Sequence, residues 1–99
     1  MEHTDSHEWL ERKGNIGTVG ITDAAQKELG EIVFIQLPKV GQKLKKGEEA
    51  AVLESTKAAV DVYSPAAGKV IEINEKVRAT PGLVNQSAES SGWLFRLEL

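Results

Sequence analysis

Val52-Leu53-Glu54-Ser55-Thr56-Lys57-Ala58-Ala59-Val60-Asp61-Val62-Tyr63-Ser64-Pro65 is the stretch from which the fold can be read. Two β-prone runs, Ala50 to Glu54 and Ala58 to Tyr63, flank a polar tip of Ser55, Thr56 and Lys57, a spacing that predicts a hairpin with a tight connection. Side chains alternate along a strand, so Val60 and Val62 share one face while Lys57, Ala59 and Asp61 share the other. The pattern predicts buried valines and a lysine held out to solvent between small neighbours.

A lysine at a turn ordinarily only keeps a surface soluble. Here Ser55, Thr56 and Ala58 leave the amine sterically open, as an enzyme that acylates that one nitrogen would require. A Schiff-base or general-base lysine needs burial or a second cation to bring down a pKa of about 10.4, and no neighbour in sequence supplies either. Glu54-Ser55-Thr56-Lys57-Ala58, with Val60-Asp61-Val62-Tyr63-Ser64-Pro65 and Gly68 after it, resembles the lipoyl-attachment hairpin of the glycine cleavage system H-protein family. The resemblance implies that Lys57 carries lipoate in amide linkage. It also implies that Glu54 and Gly68 help the modifying enzymes to choose this amine.

Composition is compatible with that reading. Ninety-nine residues suffice for one core, so a single lipoyl-binding domain over residues 1–99 is expected. Valine, isoleucine and leucine come in short runs, glycine is frequent, and no long segment has a 3.6-residue period, which favours an all-β fold with tight turns. A net charge of −3 argues against a nucleic-acid footprint and a polybasic membrane anchor. Without cysteine there is no disulfide, thiolate metal site or cysteine nucleophile, so redox chemistry must be carried by something attached. Met1 to Trp9 has neither the basic nor the apolar region of a secretory signal, and no apolar run approaches the ~20 residues that span a bilayer. The expected location is the bacterial cytoplasm, or the mitochondrial matrix for a mature organellar form.

From the amino end, Ser6-His7-Glu8-Trp9-Leu10, the turn Lys13-Gly14-Asn15 and the run Gly17 to Ile21 predict an opening hairpin. His3 and His7, four apart, would share a helical face, but the region lacks helical character and a third ligand, so no metal is expected. Thr22 or Asp23 caps a two-turn helix that Gly30 stops, with Ala24, Ala25 and Leu29 facing inward and Gln26, Lys27 and Glu28 facing water. Ser6-His7-Glu8-Trp9 and Gly20-Ile21-Thr22-Asp23 through Leu29-Gly30 are again similar to the H-protein family, and plain lipoyl domains lack the helical insertion. Glu31 to Leu37 reads as a strand. Lys39, Lys43, Lys45 and Lys46 form a solvated basic patch, and only Lys57 combines a hairpin tip with a glutamate three residues before it.

A weak repeat, Pro-x-x-Gly at Pro38–Gly41 and Pro65–Gly68, brackets the lysine hairpin and suggests a sandwich of two similar halves. Val70 to Asn74 predicts a strand with Ile71 and Ile73 on one face. Glu75 to Gly92 loses alternation around Thr80-Pro81-Gly82, with Leu83-Val84 as a small apolar anchor. The tail regains it, with Trp93, Phe95, Leu97 and Leu99 on one parity. Pro81-Gly82-Leu83-Val84-Asn85 and Gly92-Trp93-Leu94 extend the resemblance over nearly the whole chain. Two features depart from the family: Gln86 to Ser91 replaces a usual Pro-Tyr pair, and the chain ends at its last strand where most members continue into a helical segment. Weaker docking to one cleavage enzyme is expected from the second.

The resemblance implies an all-β, flattened lipoyl-domain fold, a barrel-sandwich hybrid of two small antiparallel sheets with one short helix near residues 23–29. It implies a monomeric carrier, not an enzyme, that shuttles an aminomethyl group on lipoate. The implied partners are glycine decarboxylase, aminomethyltransferase, dihydrolipoyl dehydrogenase and a lipoate ligase or octanoyl transferase. Ser6, Glu8 and Asp61 would form the polar end of a resting cleft for the loaded arm. A second reading keeps lipoate on Lys57 but assigns a relay of lipoyl groups or a regulatory role. A biotin carrier would need methionines beside the lysine, where Thr56 and Ala58 stand. No nucleophile with an adjacent base points to an enzyme.

Overall fold

The computed structural model describes residues 1–99. Its strands are β1 (Glu2–His3), β2 (Glu8–Lys13), β3 (Ile16–Ile21), β4 (Ile32–Gln36), β5 (Lys43–Leu44), β6 (Glu49–Ser55), β7 (Ala59–Tyr63), β8 (Gly68–Ile73) and β9 (Phe95–Glu98). Three short helices join them: α1 (Asp23–Leu29), α2 (Glu75–Ala79) and α3 (Gly82–Ser87). One sheet has six strands in the order β1-β2-β3-β9-β8-β5, and the other has three in the order β4-β6-β7. All pairings are antiparallel. This is the expected flattened two-sheet sandwich.

The core lies between the sheets. Val19, Val70, Phe95 and Leu97 of the larger sheet face inward with Ile35, Leu53 and Val62 of the smaller, all buried. Alternation explains this along β9, where Phe95 and Leu97 are buried and Arg96 and Glu98 turn away. The two Pro-x-x-Gly copies pack side by side. Lys43 lies opposite Lys69, Val70 N donates to Gln42 O at 2.8 Å, and Gly41 N donates to Val70 O at 2.7 Å. Gly68 is sterically compelled, because a Cβ there would sit 2.6 Å from the carbonyl oxygen of Glu98.

Several expectations need correction. The sheets are unequal, because the opening hairpin and the tail both join the same one. The chain has three helices instead of one. Asn74 starts α2 by accepting from Lys76 N at 3.2 Å, and Val77 and Val84 anchor α2 and α3 in the core. Helices of five and six residues are too short to print a period on the sequence. Val60 is 37% exposed, unlike the buried Val62, since it lies toward the hairpin tip and opens onto a cleft beside α1. On α1 the expected order is reversed at two positions: Ala24 is exposed and Gln26 is buried. The register shift between Val70 and Glu72 breaks the simple alternation expected of Ile71 and Ile73. Trp93 precedes the last strand, with the Arg96 guanidinium 3.9 Å above its ring.

Candidate functional site

The β6–β7 hairpin forms as the sequence predicts. Glu54 lies opposite Ala59 and Val52 opposite Asp61. At the tip Ser55 N donates to Ala58 O at 2.7 Å, and Ser55 Oγ accepts from Lys57 N at 3.2 Å and Ala58 N at 3.1 Å. A serine that satisfies two amides of its own turn makes a compact tip. Lys57 is exposed, and none of the ion pairs involves it. Its amine is open to an acyl donor.

Glu54 is exposed on β6, with Phe34 of β4 as its cross-strand neighbour on the other side. A register shift between Ile32 and Phe34 leaves both Val33 and Phe34 about half exposed, at 52% and 50%. The Val-Phe pair thus belongs to the surface beside Glu54, where strand alternation would have buried one residue of the two. Gly68 is not beside them. It sits in the six-stranded sheet against β9, so its glycine identity has a complete steric cause apart from the lysine.

A cleft of about 290 Å³ runs between α1 and β7, walled by Ile21, Ala25, Leu29, Val60 and Val62. Ser6, Glu8 and Asp61 line it too, so the structure brings these three together from segments more than fifty residues apart in sequence. Their surroundings differ. Asp61 is exposed, whereas Glu8 is 2% exposed, its carboxylate taken up by protein donors. Oε1 accepts from Ser6 Oγ at 2.7 Å and from Thr4 Oγ1, while Oε2 accepts from Tyr63 N at 3.2 Å. With three of about four acceptor positions used, Glu8 first ties the amino-terminal segment to β7. His7 adopts φ 69°, outside the usual range for a side-chain-bearing residue, and this turn sets Ser6 and Glu8 on either side of it.

Sequence reading missed His7 and Glu28 as cleft residues, Gly30 as a neighbour of Lys57, and Asn85 as a partner of the Gly30 carbonyl. Asn85 stood inside a recognised motif, but a lone asparagine carries no chemical signal of its own. His3 and His7 do not form part of any cluster of three potential ligands.

A sandwich of two antiparallel sheets with a lysine at the tip of a hairpin is the architecture of a lipoyl-type carrier. The family model described as glycine cleavage H-protein matches residues 1–99. The glycine cleavage system H protein of Bradyrhizobium diazoefficiens is 53% identical over 97 residues, covering 98% of this chain and 80% of that protein. That of Thermotoga maritima is 48% identical over 98 residues, covering 99% of this chain and 79% of its own. The crystal structure of a glycine cleavage system H protein from Mycobacterium marinum superposes with a TM-score of 0.92 at 34% identity, over 97% of this chain and 80% of that one. The chain belongs to the glycine cleavage H-protein family. It is a carrier protein of glycine cleavage and not a catalyst. No helix is long and apolar enough to cross a membrane.

Proposed function

We propose that Lys57 is the lipoylated residue and that residues 1–99 act as one lipoyl-binding domain serving glycine decarboxylase, aminomethyltransferase and dihydrolipoyl dehydrogenase in the cytoplasm. The observation that carries this is the unpaired amine at the tip of a braced hairpin, whose next residue, Ala58, lines a partly apolar cleft. The site suits the group: the tip offers a primary amine, and Ile21, Leu29 and Val60 offer a surface for an aliphatic chain. Lipoate so attached supplies a disulfide that takes up the aminomethyl carbon and is reduced as it does so. Tethering confines that carbon near each partner and raises its effective concentration.

The chain's own residues divide the work. Nζ of Lys57, once deprotonated, is the nucleophile that attacks the carbonyl carbon of an activated acyl donor. The amide C–N bond forms as the bond from that carbon to the donor's activating group breaks. The activating group leaves with the modifying enzyme, and the proton lost from the amine passes to solvent. Glu54, exposed immediately before the Ser55–Lys57 tip and next to Phe34, gives a lipoate ligase or octanoyl transferase something to read besides charge. Gly68 acts through the close β8–β9 contact that it permits. Ser6 and Asp61, with the one acceptor position left on Glu8, form the polar end of the cleft. Asp61, exposed and free of any ion pair, is the group best placed to meet a cationic end of the arm. The names of the relatives favour the cleavage role over a lipoyl relay.

Incubation with a lipoate ligase, followed by intact-mass and peptide mass spectrometry, tests the assignment. Wild type gains one lipoyl group on Lys57. Lys57→Arg keeps charge and fold, with stability changed by no more than about 0.5 kcal/mol at an exposed tip, and gains none. Transfer to another lysine at the wild-type rate would remove the assignment.

A further inference from the structure

The tip that bears Lys57 does not stand free of the body. Thr56 N donates to Glu31 O at 3.0 Å. A Cβ at Gly30, where φ is +76°, would lie 3.5 Å from Lys57 Cε and 4.0 Å from Nζ, so the lysine side chain rests over the Gly30 backbone. Gly30 and Glu31 are thus a platform under the acceptor amine. They lie between the end of α1 and the start of β4, where Gly30 N closes the helix by donating to Gln26 O at 3.0 Å and the Gly30 carbonyl is left free for a partner outside the helix.

Their support comes from α3. Asn85 Nδ2 donates to Gly30 O at 2.8 Å and to Gln26 Oε1 at 3.0 Å, and Asn85 Oδ1 accepts from Ile32 N at 2.9 Å. The two backbone groups fix the amide's orientation, because a carbonyl oxygen only accepts and an N–H only donates. One side chain therefore clamps the residues on both sides of Glu31. Gln26, buried on α1, extends the clamp by donating to Asp23 Oδ1 at 2.9 Å.

We propose that Asn85 is a positioning residue for the acylation of Lys57, holding the Gly30–Glu31 platform on which the hairpin tip rests. The inference depends on Lys57 being the acyl acceptor. Asn85 never meets the modifying enzyme in this scheme. It fixes the tip's place, and displacement of a reacting group by about 1 Å can cost on the order of a hundredfold in rate.

The test compares wild type, Asn85→Ala and Asn85→Asp with a lipoate ligase, at a temperature where circular dichroism shows all three fully folded. Asn85→Asp keeps the acceptor for Ile32 N but turns a carboxylate oxygen toward Gly30 O, so it releases the platform by losing the donor and adding repulsion, and it serves if the alanine variant does not fold. Asn85→Ala is expected to lose about tenfold in the kcat of Lys57 acylation with KM changed less than twofold, and Asn85→Asp to lose at least as much. The Thr56 amide should exchange its hydrogen at least tenfold faster in Asn85→Ala, while the amides of Val19 and Leu97 keep their wild-type protection. Unchanged kcat, or unchanged Thr56 exchange, in folded variants overturns the proposal. A loss carried by KM instead overturns it by making Asn85 part of the docking surface. If wild type itself is not acylated at Lys57, the reading of that lysine fails first, and the proposal with it.

Discussion

The two sheets are held by different forces. In the six-stranded sheet, β3, β8 and β9 pair along their lengths and send Val19, Val70, Phe95 and Leu97 into the core, so backbone ladders and apolar burial suffice. The three-stranded sheet contributes fewer buried residues and keeps Val33, Phe34 and Val60 partly in water. Polar side chains from outside the sheet add to its ladders. Glu8 reaches Tyr63 N on β7, and Asn85 reaches Ile32 N at the start of β4. The surface that carries Lys57 is left uncovered by core packing, and single hydrogen-bonded side chains fix it in place.

That contrast can be broken experimentally. The largest effect should come from Phe95→Ala: removing a fully buried aromatic side chain costs about 3–5 kcal/mol, a large share of the roughly 5–15 kcal/mol that stabilises a small domain. Urea unfolding reads this directly. A loss under 1 kcal/mol would show that the larger sheet is not where stability resides. Glu8→Gln should cost less, about 1–3 kcal/mol, because the amide cannot accept from all three donors and must turn an N–H toward one of them. Hydrogen exchange at Tyr63 should quicken with it. If Glu8→Gln proves as costly as Phe95→Ala, the polar brace outweighs the packing and the contrast fails.

The smallest effect concerns α1. The hydrogen bond from Gln26, then that from Lys27, holds the Asp23 carboxyl below its ordinary value. A lowered folded-state pKa gives stability that is present above the ordinary carboxylate value and is lost as pH falls through the lowered one. Because Asp23 is exposed, the effect on unfolding is slight and is best followed by NMR titration of its carboxyl. Gln26→Leu should move that midpoint back up. An unmoved midpoint would mean that Gln26 does not link Asp23 to the platform under Lys57.

Much of this was legible in sequence because it is local. The hairpin, its serine-braced turn, the Thr22 cap whose Oγ1 accepts from Ala25 N at 3.2 Å, and the alternation of Phe95 and Leu97 all arise within a few residues. The failures share a cause: they depend on what a distant segment places alongside. Strand alternation would bury one of Val33 and Phe34, until a bulge leaves both about half exposed. Gln26 reads as surface until Asn85, 59 residues on, covers it with a hydrogen bond.

The sequence by itself determined that a lysine is presented on a hairpin tip and which family's pattern surrounds it, since turn chemistry and strand period act over neighbouring residues. Only the tertiary structure decided that Glu8 is a brace as well as a cleft wall, that Gly68 is demanded by the Glu98 carbonyl, and that Asn85 stands behind the lysine. Those are contacts between segments that the chain keeps far apart, and their energy comes from desolvated hydrogen bonds and close packing that exist only once both sides have folded.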